Sequence, residues 1–261
     1  MPLNYVFFNN SSKQTNAVDS SIYMTTSALI GIFMPPLGAA VILHWGYSWL
    51  FSLASILCII PLFLIYRELP NSNLNFNLKE SLLSFNKLKT LTLLEGSLHY
   101  FTGVIIPVYS LIFFSKASEI GYFYSYLGII SFIIALYFSH RSDRSGKRIT
   151  YLFIVCILMA VVIVSMGLVK SMLGWIIVAG AFSVVNYVSF PFRLAVSMDD
   201  KTMDLGFWVV RELILNVGRV ITLTLALVLF YYELYLFVFL IYALVAITYP
   251  FITKFKLKNL I

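Results

Sequence analysis

A chain of 261 residues is long enough for one large soluble domain, yet 61% of it is hydrophobic and 11% charged, against about 45–50% and about 25% in soluble domains. That balance excludes an ordinary water-soluble fold. The net charge of +7 points to contact with a lipid bilayer and its anionic surface rather than with nucleic acid, because the basic residues are spread over short loops between apolar runs.

From Ser20 to Tyr66 no residue is charged unless His44 is protonated. Runs of about 18 or more apolar residues read as membrane helices, since about 20 residues cross the hydrocarbon. In lipid, each backbone N–H and C=O must be satisfied within its own segment, which selects helices. A β-barrel requires alternating strands of about ten residues, and the runs here are continuous. The expected fold is an all-α integral membrane protein, an eight-helix transmembrane bundle.

Residues 1–19 are polar and lack the basic, apolar and small-residue regions of a signal peptide. Asn9-Asn10-Ser11-Ser12 holds two overlapping glycosylation sequons, which the topology below puts inside the cell. The first span covers about Ile22 to Leu43. Pro35 and Pro36 remove intrahelical hydrogen bonds and favour a kink, while Gly31, Gly38, Ala39 and Ala40 permit close helix contact. A turn at His44-Trp45-Gly46 leads to the second span, about Tyr47 to Tyr66.

The longest polar interval is Arg67 to Thr90. Within it Leu78, Leu82 and Phe85 fall at i, i+4 and i+7, which fits either a short amphipathic helix on the membrane surface or a solvated linker. Spans then follow at about Leu91–Ser115, Ile120–Phe138, Ile149–Val169, Met172–Phe192, Phe207–Tyr231 and Leu234–Thr253. Cys58 and Cys156 lie inside spans without disulfide or metal spacing, so both read as small core residues and no metal or cofactor is expected.

Eight spans put both termini on one side. That side carries fifteen of the eighteen Lys and Arg residues; the other holds Lys116 and Lys170, and Arg219 sits within a span. The asymmetry predicts a multi-pass protein of the cell membrane with both termini cytoplasmic.

The densest basic stretch is Ser139 to Arg148, between the fourth and fifth spans. Its Asp143-Arg144-Ser145-Gly146-Lys147-Arg148 resembles the Asp-Arg-x-Gly-[Arg/Lys]-Arg core of the major facilitator superfamily loop motif, with Ser139 in place of the pattern's first glycine. Physically, the tight turn uses Gly146, and Asp143 has Arg144, Arg148 or a helix N-terminus as partners. A plain positive-inside loop without a gate is the simpler reading.

Two further stretches carry the resemblance. Gly31-Ile-Phe-Met-Pro35-Pro36-Leu-Gly38-Ala39-Ala40 is similar to that family's helix-5 pattern Gly-x-x-x-Gly-Pro-x-x-Gly-Gly, and Trp45 to Phe51 looks like the turn that follows it. The register implied is helices 5–12, a partial major facilitator fold. It divides the chain into 1–66 (tail and two helices ending a first half), 67–90 (a cytoplasmic linker) and 91–261 (a six-helix C-terminal half). It also implies a gating role for Asp143, Arg144, Gly146, Lys147 and Arg148, with Asp143 near the start of the first span, about Ser20 to Tyr23. The helix-5 pattern is associated with exporters and tilts the direction towards efflux.

The seventh span is the most unusual. Trp208, Glu212, Asn216 and Arg219 lie at steps of four, four and three, along one helical face. A charge at mid-bilayer costs about 2.5–3.5 kcal/mol on insertion scales, so Arg219 must face the bundle and find partners, with Glu212 and Asn216 in reach. This stripe is either a substrate or coupling site, or a structural ion pair locking helices. In the third span Glu95 lies about one turn from the cytoplasmic end, where reaching water is cheap. His99 is open between a titrating cavity group and a packed one. Asn186 reads as a weaker cavity candidate or an interhelical hydrogen bond. The seventeen Tyr and four Trp suit interfacial belts and packing.

The resemblance implies a secondary transporter moving a small molecule by alternating access, ion-coupled and with protons as the candidate driving ion. A different class is a transporter fragment that does not transport alone and acts as a structural membrane partner. An enzyme is not expected: the chain has no His-Glu-x-x-His, Gly-x-Ser-x-Gly or phosphate-cradling glycine loop.

Overall fold

The computed structural model describes residues 16–68, 77–86, 88–139, 148–198 and 205–256, and every regular element among them is helical. In chain order these are α1 (Asn16–Trp45), α2 (Tyr47–Glu68), α3 (Leu78–Ser84), α4 (Lys89–Ser110), α5 (Ala117–Ser139), α6 (Arg148–Leu168), α7 (Met172–Met198), α8 (Leu205–Tyr231) and α9 (Tyr235–Lys256). Seven of them are long and apolar enough to cross a membrane, and α2 adds the shorter apolar run Tyr47–Phe63. The predicted spans are all present as helices.

Their ends differ from expectation in one place that matters. The sixth span was predicted to stop at Phe192, but α7 continues to Met198 and carries Arg193, which is buried, within the helix. Arg211, counted with the same loop, is also helical and buried. The charge asymmetry survives the correction at thirteen against two.

α1 packs along α5 and touches α7; α4 packs on α8, and α6 on α9. The α1–α5 crossing is built by the two prolines. Each removes the donor for the carbonyl four residues earlier, which leaves the Gly31 and Ile32 oxygens without an intrahelical partner. Both are met from α5: Ser125 donates its hydroxyl to the Ile32 carbonyl, and Gly128 lies so near the Gly31 carbonyl that a Cβ would sit 2.8 Å from its oxygen. A helix carrying Pro-Pro is tolerated in lipid because a neighbour satisfies what the prolines free.

α1 and α2 meet at Gly46, whose φ of +84° is a left-handed turn open to glycine, and its N–H returns to the Ile42 carbonyl at 2.9 Å. Short α3 is capped by Asn77, whose side chain accepts from the Lys79 and Glu80 amides. Its expected place as a separate surface helix gives way to a packed one. Phe85 and Leu88, just after it, are buried with Phe207 and Trp208 of α8, Leu152 of α6 and Tyr249 of α9.

The main core is aromatic. Phe101 of α4 meets Phe182, Phe239 and Tyr242 at 5.0, 5.9 and 4.9 Å between ring centroids. Trp175 donates its indole N–H to the Ser110 hydroxyl at 3.0 Å. Much of the aromatic content therefore joins helices, the packing half of the expected role.

Candidate functional site

α4 and α8 approach closely because each presents a glycine to the other's backbone. A Cβ on Gly96 would strike the Leu215 carbonyl, and one on Gly218 would strike the Leu93 carbonyl. Ser97 hydrogen-bonds across the gap to the Gly218 carbonyl at 3.3 Å. This is the small-residue contact that membrane helices use in place of a hydrophobic drive.

The crossing separates the charges of α8 into two groups. On the α4 face Arg211 joins Glu95 at 2.7 Å, with side chains 9% and 7% exposed. The Arg211 guanidinium also stands 5.8 Å from the Trp208 ring. Glu95 was expected to reach water at the membrane edge; it is instead buried in an interhelical ion pair, which satisfies a charge that packing has cut off from solvent.

The second group is the predicted stripe, and the structure brings it together. Arg219, the fifteenth of the 27 residues of α8, places Nη1 2.7 Å from Glu212 Oε1 and 2.9 Å from Asn216 Oδ1. Asn216 in turn donates to the Glu212 carbonyl at 2.9 Å. From α4 the Tyr100 ring covers the guanidinium at 5.1 Å, a cation–π contact. Arg219 is 14% exposed at its side chain and Glu212 36%, while Asn216 and His99 are exposed. His99 lies within electrostatic reach of Arg219, Glu95, Arg193 and Glu212. Trp208, at the start of the stripe, is buried in the packing cluster instead.

Just beyond His99 and Tyr100, the helix loosens into a π turn over Phe101–Ile105. Such turns re-aim the side chains around them. Asn186 stands apart from the stripe: its side-chain oxygen accepts from Arg193 Nη2 at 3.0 Å, a bond along α7 rather than between helices. Of the basic loop, Asp143, Arg144, Gly146 and Lys147 lie outside the described residues. Arg148 opens α6. The expected neighbourhood of Asp143 and Ser20 to Tyr23 lies outside the described contacts too. Among the described residues no group of His, Cys, Asp and Glu is arranged to hold a metal ion.

Sequence reasoning passed over Arg211 and Arg193. For Arg211 a signal was present: Arg211, Leu215, Gly218, Thr222 and Ala226 recur at steps of four, three, four and four, so it sits on the small-residue face that binds α4. Its partner, 116 positions away, had no local signal.

A family model described as the Major Facilitator Superfamily matches residues 5–201. No curated protein and no solved structure matches the chain.

Proposed function

The chain belongs to the Major Facilitator Superfamily, whose members are secondary transporters, and from that premise we propose that it moves a small molecule across the cell membrane by alternating access, coupled to an ion gradient with protons as the driving ion. The observation that carries this reading is the mid-helix group of Arg219, Glu212 and Asn216 on a part-exposed face. Lipid does not tolerate such a face, so it lines a water-filled path or cavity. In this reading Arg219, Glu212, Asn216 and His99 contact substrate or coupling ion, and Asn186 tunes the same region through Arg193. The loop residues Asp143, Arg144, Gly146, Lys147 and Arg148 brace the cytoplasmic side. Gly31 to Ala40 tilts the direction towards efflux. The basic-residue asymmetry supports cytoplasmic termini, and the division at 67–90 separates a two-helix unit from a six-helix one.

The test uses proteoliposomes containing the full chain, a mixture of small metabolites and an imposed proton gradient, with accumulated solutes read by mass spectrometry. The expected result is at least one solute moved by the wild type, lost on adding a protonophore and lost in Arg219→Ala. Wild-type flux in a correctly inserted Arg219→Ala protein would sink the assignment.

A further inference from the structure

The guanidinium of Arg219 is used on one side only. Glu212 and Asn216 both bind Nη1, whereas Nη2 and Nε make no hydrogen bond among the described residues, Nε despite being buried. An arginine fork is built to hold a planar oxyanion through two parallel N–H donors. One face of the cation is already taken by the Tyr100 ring. We propose that the Nη2–Nε edge of Arg219 is the docking site for the carboxylate of a small organic acid, and that Glu212 takes up a proton as the acid binds.

The charge count gives the second half of that statement. Arg219 and Glu212 together are neutral. A second carboxylate on the same guanidinium leaves one uncompensated negative charge in a low-dielectric setting, so two carboxylates share the site only when one of them is protonated. Glu212 is the more exposed partner, within reach of a proton from water. The balance is simple: one acid anion and one proton enter, the proton resides on Glu212, and the site returns to neutrality.

The other groups around α8 are less suited. From α4, Glu95 is held by Arg211, and His99 is exposed beside the pair. Arg193 of α7 is buried and bound to Asn186. On α9, Tyr249 points its hydroxyl at the Arg193 carbonyl and stands by Glu95 and Arg211 rather than Glu212. On α3, Lys79 and Glu80 are exposed near the other end of the contact, with Glu80 bonded to Asn77.

The inference rests on the transport reading for its purpose but is tested by binding alone. Benzoate is titrated into the full chain in lipid nanodiscs near neutral pH, by calorimetry in two buffers of different ionisation enthalpy. The wild type is expected to bind benzoate with uptake of about one proton, and benzylammonium not at all. Arg219→Gln is expected to weaken benzoate binding at least about tenfold, the loss of a charge-assisted hydrogen bond. Glu212→Gln is expected to bind benzoate without proton uptake, and His99→Gln to retain it.

Absence of benzoate binding by the wild type overturns the inference. So does proton uptake that persists in Glu212→Gln or vanishes in His99→Gln. Because the proton count in Glu212→Gln does not depend on Arg219→Gln folding, the test stands if that variant fails to insert. Benzoate binding without flux of any solute keeps this inference and removes the transport reading; flux of some solute without benzoate binding does the reverse.

Discussion

Glu95 of α4 and Arg211 of α8 form an ion pair at 2.7 Å, 116 residues apart in sequence, with both side chains more than nine-tenths buried. The pair sits beside the glycine crossing, so charge and close packing fasten the same two helices. Removing one partner strands the other charge away from water. We expect Glu95→Gln and Arg211→Met each to destabilise the protein by about 3–5 kcal/mol, and Glu95→Leu with Arg211→Met together to recover most of that. Unfolding by SDS in mixed micelles reads the effect. A double variant no better than the singles would contradict the account.

The glycine crossing makes its own prediction. At Gly96 and Gly218 an added methyl meets backbone, which has little room to move, whereas nothing lies within 4 Å of a Cβ at Gly103. Gly96→Ala and Gly218→Ala should each cost about 1–3 kcal/mol as overpacking. Gly103→Ala should stay within about 0.5 kcal/mol of wild type. The same SDS titration separates them, and equal stability of all three would remove the close approach.

At the α1–α5 crossing, Ser125 satisfies the carbonyl that Pro36 frees. Ser125→Ala should cost about 0.6–1.7 kcal/mol, the range for hydrogen bonds between membrane helices. In a Pro36→Ala background the restored N–H of residue 36 reclaims the Ile32 carbonyl, so the cost of Ser125→Ala should shrink. A double-mutant cycle measures the difference. Additive costs would mean that the hydroxyl and the proline act separately.

Orientation is testable without any substrate. In a Cys58→Ala, Cys156→Ala background, single cysteines replace the exposed Lys116, Lys170, Lys79 or Glu80. An impermeant maleimide applied to intact cells should label Lys116→Cys and Lys170→Cys. Lys79→Cys and Glu80→Cys should react only after permeabilisation, following the basic-residue asymmetry. The opposite pattern would invert the topology.

The sequence by itself determined the helices and their order, because apolar length and backbone hydrogen bonding in lipid leave one solution for each run. It also determined the Trp208–Glu212–Asn216–Arg219 stripe, since residues three and four apart on a helix are neighbours whatever surrounds them. Three of those four do form one polar group. Only the tertiary structure decided which charges are buried. Glu95 looked close enough to water to remain exposed, and Arg193 and Arg211 looked like loop charges. All three are buried because α4 and α8 close on paired glycines and α7 runs past its predicted end. The same contact leaves one edge of Arg219 unused beneath the Tyr100 ring. Partners more than a hundred positions apart are chosen by which helix faces meet, and that choice is made by packing, not by spacing along the chain.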